Sequence, residues 1–325
     1  MLLSIIVPTY NSANYVEDTL KSILKNDSDD FEVVIVDDGS TDNTVNLIYE
    51  RFRDKRVKIY QKNHMGPANI KNFAIKQAEG KYITFVDSDD IISQKYASEI
   101  FDCIERSLPD LIIFKYYKFN EVIEDSSFVS FGGSNINTMG TMVWNKVYAA
   151  SLLKSIKFPE GTVFEDVMFS AEALLNAKKV VFLDTSLYFY RQRTSSLTKS
   201  NNIPPERHLD ILKCFNNFFE KNSINDEEYT TKRQLSILIN TLILDHCKRV
   251  VNSKKDRKIS RKVVKKLLNY RKVIRKELGK NILDDRISKR MTKFLDLFLL
   301  RINAFKAYMI MEYTKSFLKK LIKNN

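Results

Sequence analysis

Two aspartates, Asp87 and Asp89, follow an apolar run over residues 82–86. In an extended segment alternate side chains point to the same side, so the two carboxylates share one face and Ser88 points to the other. Such carboxylates repel each other unless a cation lies between them, and oxygen ligands of this kind suit Mg²⁺ or Mn²⁺ bound to a diphosphate. The spacing therefore predicts a metal site, with a simple Asp and Ser turn as the alternative.

Polar residues also follow two earlier apolar runs, over residues 3–7 and 31–36. They are Pro8, Thr9, Tyr10 and Asn11 after the first run, and Asp37, Asp38 and Gly39 after the second. Because ligands of a parallel α/β sheet bind beyond the carboxyl ends of its strands, we expect the three polar segments to meet. Glycine permits close approach of the backbone to a ligand, and a neighbouring carboxylate can accept hydrogen bonds from a base or a ribose. A helix cap at Ser40 or Thr41 is compatible with this role.

Charged residues at two later positions are also suited to chemistry. Glu165 and Asp166 open a helical pattern that extends to about residue 178. They suit either catalysis by a carboxylate base or stabilisation of a helix N-terminus. Arg191 and Arg193 lie two residues apart after an apparent strand, so they share a side. That spacing fits a diphosphate, although solvated surface arginines are equally common.

The single tryptophan, Trp144, is followed by Asn145 and Lys146. Its ring suits either stacking on an acceptor sugar or packing in the core. The two polar neighbours favour the first role, and the sequence predicts that all three residues contribute to an acceptor site.

The elements that must position these residues alternate along the chain. Near-continuous apolar runs, separated by apolar residues at helical spacing, predict an α/β fold with a mainly parallel sheet buried on both faces. These runs lie at 3–7, 31–36, 57–60 and 82–86. Further strand-like segments lie at 111–117, 127–131, 180–183 and 187–190. The prolines at 204 and 205 predict a boundary, beyond which the pattern is helical throughout.

Charge is distributed unevenly between the two parts of the chain. Residues 1–200 contain 23 basic and 27 acidic residues, whereas residues 201–325 contain 30 and 13. Between residues 248 and 280, fifteen Lys or Arg accompany two acids and a narrow apolar seam, which predicts helices with a wide cationic surface. Such a surface attracts anionic lipid headgroups, a phosphate-rich polymer or nucleic acid. A more apolar helix over about 287–322 suits a membrane interface, the rest of the chain or a second subunit in a homo-oligomer.

Composition excludes several classes of protein. The 325 residues are 44% hydrophobic and 29% charged, with a net charge of +13 and three cysteines. These values exclude wholesale disorder, and the cysteine spacing disfavours a disulfide framework or a zinc site. The first apolar run lacks the flanks of a signal peptide, and no run of about 18 uncharged apolar residues exists. We therefore expect a cytoplasmic protein, with peripheral attachment to the inner face of the cell membrane as a further role of the basic helices.

Taken in order, these motifs resemble those of the inverting, GT-A-fold family-2 glycosyltransferases of bacterial polysaccharide and teichoic-acid synthesis. The resemblance rests on segments 4–11, 36–42, 66–72, 85–90, 144–146, 164–166 and 190–193. The ordered set is much more specific than any one segment. It implies a GT-A catalytic domain over residues 1–205 and does not cover the C-terminal third, where the charge and the helical pattern predict a basic helical region over 206–325. The nucleotide-sugar half would span about 1–110 and the acceptor half about 111–205.

The resemblance also implies a role for individual positions. Pro8, Thr9, Tyr10, Asn11, Asp38 and Gly39 correspond to the pocket for the base and ribose, which in this family is most often uridine. Asp87, with Ser88 beside it, corresponds to a ribose or metal-water contact, and Asp89 to the ligand of the divalent ion. Arg191 and Arg193 correspond to diphosphate contacts. Asp166 corresponds to the catalytic base, with Glu165 as its neighbour.

Lys71 and Asn72 mark a departure from the family pattern, which usually has Arg before Asn. Lysine keeps the charge but loses the bidentate fork of arginine. The resemblance implies a nucleotide contact for both residues, with the lysine acting as a point charge.

The implied reaction moves a sugar from a UDP-sugar to a hydroxyl of a lipid-linked saccharide or cell-surface polymer. Asp166 takes the proton of the acceptor, while Mn²⁺ or Mg²⁺ at Asp87 and Asp89 neutralises the departing diphosphate. Inversion follows from a single displacement.

Two other functions would use features of the same sequence. A nucleic-acid-binding protein would use the cationic helices, but Tyr270 is the only aromatic residue between 248 and 280, and we predict no nucleic-acid partner. A nucleotidyltransferase would share the paired aspartates but normally has a Gly-rich loop after the first strand. Here that position holds Pro8 to Asn11, which contain no glycine.

Overall fold

Helices and strands alternate through the first 120 residues of the computed structural model, which describes residues 1–120, 132–192, 203–222, 224, 229–253 and 256–279. The strands are β1 (Leu3–Thr9), β2 (Phe31–Asp37), β3 (Val57–Gln61), β4 (Tyr82–Phe85), the short β5 (Ile91–Ile92) and β6 (Leu111–Phe119). The helices are α1 (Val16–Leu24), α2 (Thr44–Arg51), α3 (Pro67–Gln77) and α4 (Tyr96–Ser107). The predicted alternation of strands and helices is confirmed for this part of the chain. β1, β2 and β4 are buried as predicted, whereas β3, at the edge of the sheet, is only partly buried.

The later residues complete the sheet and then become helical. They form β7 (Lys146–Ala149), α5 (Asp166–Asn176), β8 (Val180–Arg191), α6 (Asp210–Lys221), α7 (Tyr229–Asn252), α8 (Arg257–Asn269) and α9 (Arg271–Leu278). Short 3₁₀ turns lie at Leu152–Lys154 and Pro205–Leu209. The strand-like segments at 180–183 and 187–190 are one strand, β8. The predicted strand at 127–131, Arg193 and the predicted helix at 287–322 lie outside the described residues.

The strands of the described residues form one mixed sheet in the order β3-β2-β1-β4-β7-β6-β8-β5. β1 is parallel to both β2 and β4, and β2 is parallel to β3. β7 runs antiparallel to both of its neighbours, β4 and β6. The first residue of β7, Lys146, therefore lies at the sheet edge where β4 ends.

Both faces of the sheet are covered by helices. In β1, Leu3, Ile5 and Val7 pack into a cluster with α1 and α4, whereas Ile6 packs into a second cluster with α3 and α5. Because alternate side chains of a strand point to opposite faces, a strand that is covered on both sides needs a continuous apolar run.

Helices α6 to α9 share the core of the α/β part. Phe215 of α6, Ile239 of α7 and Val264 of α8 belong to the same hydrophobic cluster as Phe85 and Phe169. The sequence change at residue 205 thus marks the end of the strands, while the hydrophobic core continues across it.

The three cysteines lie in the core. Cys103, Cys214 and Cys247 are buried and free. Burial raises the pKa of both Cys214 and Cys247 to about 12, which makes them unreactive packing residues. In the part of the chain that the structure describes, no helix is long and apolar enough to cross a bilayer.

Candidate active site

Asp37, the last residue of β2, organises the loop that follows it. Its Oδ1 accepts hydrogen bonds from the hydroxyls of Thr9 (3.1 Å) and Ser40 (2.5 Å). Its Oδ2 accepts from the backbone N–H groups of Gly39 (3.1 Å) and Ser40 (2.8 Å). The sequence motifs predict no separate role for Asp37. An Asp two residues before a Gly is nevertheless a usual start for such a turn. The predicted pocket residue Thr9 is buried and supports this loop.

Asn11 joins the same loop from the other strand. Its backbone has a φ of 49°, which asparagine tolerates better than most residues. Its side-chain oxygen accepts from the backbone N–H groups of Thr41 (2.8 Å) and Asp42 (3.3 Å). The neighbouring Tyr10 is 48% exposed, and its ring lies 4.9 Å from that of His64. The ends of β1 and β2 are therefore brought together as predicted, with an exposed aromatic ring at their rim.

Asp38 binds the start of α3. Its carboxylate accepts from the backbone N–H groups of Met65 (2.5 Å) and Gly66 (3.0 Å), which precede the first turn of that helix. An anion is stabilised there by the free N–H groups and the helix dipole. Gly39, at a φ of 79°, packs so closely on His64 that a Cβ would lie 3.2 Å from its backbone nitrogen. A glycine is therefore required beside Asp38.

The segment Asp87 to Asp90 lies beside these loops. The hydroxyls of Ser88 and Ser12 are 2.6 Å apart, which ties the end of β4 to the end of β1. Asp87, Ser88 and Asp89 are partly exposed, whereas Asp90 is fully buried. Burial, together with the charges of Asp87 and Asp89, raises the pKa of Asp90 well above its usual value.

Arg191 supports this segment through the backbone. Its Nε donates to the carbonyl of Asp89 (2.7 Å), and its own backbone N–H donates to Asp90 (2.7 Å). Its guanidinium lies 3.6 Å from the carboxylate of Asp18 and 4.8 Å from the ring of Phe119. Arg191 thus lies beside the predicted metal site, where it holds the turn that carries Asp89.

The predicted metal site suits an ion that is shared with a substrate diphosphate. Within the described residues no group of three or more His, Cys, Asp or Glu side chains could hold a metal ion. Mg²⁺ is usually bound by one or two carboxylates together with substrate phosphates. The partly exposed pair Asp87 and Asp89 fits that kind of ion.

Asp166 is the first residue of α5 and is partly buried. Burial raises the pKa of Asp166 to about 7, and the carboxylates of Glu165 and Asp87 act in the same direction while Lys71 opposes them. The electrostatic effect of Asp87 means that the predicted base and the end of β4 belong to one group of charges. A carboxyl with a pKa near neutrality is suited to accept a proton from a hydroxyl.

Glu165 was predicted as a second catalytic carboxylate, and its contacts give it another role. Its Oε1 lies 2.7 Å from Nζ of Lys71, and the side chains are 7% and 10% exposed. Burial alone would lower the pKa of Lys71, but Glu165, Asp166 and Asp87 raise it well above its usual value. Glu165 is therefore engaged in a buried ion pair and is not placed to act as a base.

Asn72 was predicted to contact the nucleotide, and its amide group makes two hydrogen bonds to the protein backbone. Nδ2 donates to the carbonyl of Phe158 and Oδ1 accepts from the N–H of Phe158, both at 2.9 Å. The amide thereby fixes α3 to the segment that leads towards α5.

Trp144, Asn145 and Lys146 do not form an exposed acceptor site. Trp144 is 4% exposed and stacks on Tyr188 at a centroid distance of 4.4 Å, so it is the core residue of the two alternatives. Asn145 is fully buried and donates to the carbonyls of Phe114 and Met139. The predicted acceptor role fails because the three side chains are enclosed.

Lys146 is fully buried beneath the site. Its Nζ lies within hydrogen-bonding distance of four oxygens, the carbonyls of Met139 (3.3 Å), Gly140 (3.1 Å) and Met142 (2.7 Å) and Oδ1 of Asn145 (2.7 Å), among which its three N–H groups are shared. Burial lowers the pKa of Lys146 to about 7, against the effect of Asp166. Through these contacts Lys146 stabilises the turn before β7.

Known proteins of similar sequence are glycosyltransferases. A family model described as Glycosyl transferase family 2 matches residues 4–163. Poly(ribitol-phosphate) beta-N-acetylglucosaminyltransferase TarS of Staphylococcus aureus is 34% identical over 227 residues, which are 66% of this chain and 39% of TarS. Glycosyltransferase GlyG of Streptococcus pneumoniae is 30% identical over 224 residues, which are 61% of this chain and 73% of GlyG.

The fold is also shared with a solved structure. Residues 1–349 of S. aureus TarS in complex with UDP-GlcNAc match this chain with a TM-score of 0.56 and 28% identity, covering 83% of this chain and 72% of that one. The predicted GT-A-like α/β fold is confirmed, and so is the helical character of the C-terminal region over the residues that the structure describes up to 279. Because the match covers most of GlyG and the family model includes the ends of β1, β2 and β4, the chain is a glycosyltransferase that belongs to glycosyl transferase family 2.

Proposed function

We propose that the chain transfers a sugar from a UDP-sugar to a hydroxyl acceptor with inversion at the anomeric carbon, and that Asp166 is the base. The observation that carries this proposal is that α3 joins the loop of Asp38 to the start of α5. The backbone N–H of Gly66 binds the Asp38 carboxylate, and Lys71 of the same helix pairs with Glu165, directly before Asp166. Burial also raises the pKa of Asp166 to about 7. A base poised near neutrality beside a donor pocket suits the activation of a hydroxyl.

In the proposed reaction the acceptor oxygen attacks the anomeric carbon while its proton passes to the Asp166 carboxylate. The bond from the anomeric carbon to the phosphate oxygen breaks, and its electron pair leaves with the diphosphate. A single displacement of this kind inverts the configuration. Asp89, assisted by Asp87, would hold Mn²⁺ or Mg²⁺, which neutralises negative charge on the diphosphate when bound.

Uridine is the proposed nucleotide. TarS, which shares the fold, is known in complex with UDP-GlcNAc. In this chain the exposed ring of Tyr10 offers a stacking surface for a base, and Asp38 supplies a carboxylate at the same rim. We assign the pocket for the base and ribose to the loops that follow β1 and β2.

The proposed acceptor is a phosphate-rich surface polymer, and the name of TarS refers to a polymer of this kind. Basic residues on α8 and α9 point to solvent, while the opposite faces of both helices are buried in the core. This cationic face consists of Lys258, Arg261, Lys262, Lys265, Lys266, Lys272 and Lys276. It would raise the local concentration of a polyanion by electrostatic attraction. Attachment to anionic lipid on the inner membrane face, near a lipid-linked saccharide, is the other use of such a surface.

Donor hydrolysis tests the proposal without knowledge of the acceptor. The protein is incubated with a panel of UDP-sugars and Mn²⁺, and released UDP and the anomer of the sugar first formed are measured. We expect release from at least one donor with inverted configuration, and an Asp166→Asn variant that binds UDP normally but releases about 100-fold less of it. Retained configuration, or full turnover by Asp166→Asn, would show that the proposed mechanism is wrong.

A further inference from the structure

One helix, α3, connects the proposed nucleotide pocket with the proposed base. The N–H groups of Met65 and Gly66, just before α3 begins, bind the carboxylate of Asp38. Further along the helix, the ammonium of Lys71 contacts Glu165, the residue immediately before Asp166. A single helix therefore contacts both the loop of Asp38 and the residue before Asp166, and it fixes the distance between these two parts of the site.

The surroundings of Lys71 favour a contact with the base region over a contact with the nucleotide. Its ammonium lies 2.7 Å from Oε1 of Glu165 and 5.4 Å from the centre of the Phe158 ring. Glu165, Asp166 and Asp87 all act on it electrostatically. A buried ammonium that is held by a carboxylate cannot leave it without exposing an unpaired charge to a low-dielectric interior.

The next residue of α3 fixes the same segment at a second point. Asn72 exchanges two hydrogen bonds of 2.9 Å with the backbone of Phe158. The Phe158 ring stacks on Phe169 of α5 at a centroid distance of 3.8 Å and an interplanar angle of 2°. Adjacent residues of α3 thus hold the segment from 158 to 165 at both ends, and Asp166 follows directly.

We propose that Lys71 is a positioning residue for Asp166, which it places through the ion pair with Glu165, and that it is not a ligand of the nucleotide. This inference rests on the proposed function, since it assumes that Asp166 is the base. It separates position 71 from the nucleotide contact that the family pattern implies, and it explains why a lysine suffices where the family has arginine. A single charged contact needs no bidentate fork.

The test compares four variants, Lys71→Met, Glu165→Gln, the double variant Lys71→Met/Glu165→Gln, and Lys71→Arg, with the wild-type protein. The measurements are kcat and KM for UDP-sugar hydrolysis and the Kd for UDP with Mn²⁺. We expect Lys71→Met to lower kcat by about 100-fold, because small displacements of a base have effects of that size. The Kd for UDP should change by less than about 3-fold, because Lys71 is not expected to contact the nucleotide.

Two comparisons separate positioning from general damage to the fold. The double variant removes both charges of the buried ion pair, so it remains usable where Lys71→Met fails to fold, and its kcat should be no lower than that of either single variant. Lys71→Arg should recover activity to within about 10-fold of the wild type, since arginine can also pair with Glu165. Lys76→Met, at an exposed position of the same helix, is the matched control and should behave as the wild type.

The opposite results would overturn the inference. A Kd for UDP weakened about 10-fold or more with kcat retained would make Lys71 a nucleotide ligand. Additive losses in Lys71→Met and Glu165→Gln would show that the pair does not act as a unit. The wild-type protein is assayed first. If it releases UDP from no donor, the proposed function itself is wrong, and the variants are not compared.

Discussion

The hydroxyl of Tyr188 donates a 2.7 Å hydrogen bond to Oδ2 of the buried Asp90. The hydroxyl oxygen of Tyr188 also accepts a hydrogen bond of 3.1 Å from the backbone N–H of Asp87. Oδ1 of Asp90 is held by the backbone N–H of Arg191 at 2.7 Å. Strand β8, which pairs with β5 in antiparallel direction, thus fixes both ends of the turn over residues 87–90. This turn carries Asp89, the proposed metal ligand.

We expect Tyr188→Phe to loosen this turn. The change removes one hydroxyl from a buried site and leaves the Asp90 carboxyl without that donor, a loss of about 1–3 kcal/mol. The melting temperature should fall, and the Kd of the UDP–Mn²⁺ complex should rise about 10-fold, which corresponds to about 1.4 kcal/mol. Calorimetric titration and thermal unfolding measure the two effects.

Tyr49→Phe is the control, because Tyr49 is 49% exposed on α2. It loses the same hydroxyl without a buried partner and should leave both quantities unchanged. A Tyr188→Phe variant that binds UDP and Mn²⁺ as well as the wild type would mean that the turn keeps its shape without β8.

Much of the proposed donor side of the site could be predicted from the sequence. Parallel strands place their carboxyl ends at one edge, so the polar residues after residues 7, 36 and 86 had to lie close together. The structure joins these loops through contacts such as those of Ser12 with Ser88 and of Asn11 with Thr41. The proximity of these loops follows from the order and direction of the strands.

The base side depends on contacts that the sequence pattern does not indicate. Residues 71 and 165 are far apart in the chain, and helical spacing does not reveal which distant carboxylate faces a buried lysine. Trp144 and Lys146 were assigned by residue type, but the chain enters the sheet here as β7, between β4 and β6, and both side chains are buried. The ring of Trp144 stacks on Tyr188 of β8. A polar or aromatic residue at a sheet edge can therefore be a support for the site and not a part of its surface.

The pH dependence of turnover should report Asp166. Its carboxylate must be ionised to accept a proton, and burial raises its pKa to about 7. The value of kcat should therefore fall about 10-fold per pH unit below that pKa and level off above it. Saturation with Mn²⁺ adds positive charge nearby and should move the acid limb to lower pH. A profile that is flat from about pH 5.5 to 8, with UDP binding unchanged, would contradict the assignment.

The raised pKa of Asp166 also predicts an effect on stability. Its folded-state pKa of about 7 lies above the ordinary value of 3.8, so the folded protein binds the proton more tightly than the unfolded chain. That contribution is complete below the unfolded pKa and is lost as pH rises through about 7. Asp166→Asn should therefore melt at a higher temperature than the wild type at pH 8 and show a smaller difference at pH 5, as measured by differential scanning calorimetry. Equal differences at the two pH values would contradict the shift.

Asp38→Asn should weaken donor binding through α3. The carboxylate accepts one N–H from Met65 and one from Gly66, whereas an amide offers a single oxygen and turns its NH₂ group towards the other donor. We expect a Kd for UDP at least about 10-fold higher. Asp54→Asn is the control, because Asp54 accepts the backbone N–H of Arg56 at 2.9 Å in a loop outside the proposed pocket, and it should bind UDP normally.

The cationic face on α8 and α9 should govern the use of a polyanionic acceptor. Reversal of three charges, Lys262→Glu, Lys265→Glu and Lys266→Glu, removes attraction and adds repulsion, so the KM for a phosphate-rich polymer should rise about 10-fold or more at about 50 mM salt. At about 500 mM salt the wild type should lose most of its advantage, because exposed charges are screened. The KM for the donor should not change.

The decisive comparison uses a second triple variant, Lys25→Glu, Lys81→Glu and Lys95→Glu, whose exposed positions are scattered over the α/β part. Both variants have the same net charge, so an effect of total charge would be equal in the two, whereas an effect of the cationic face appears only in the first. Flotation with anionic vesicles separates the two uses of the face. If the first variant loses vesicle binding while its KM for the polymer is unchanged, the face attracts lipid, and the acceptor is recognised elsewhere.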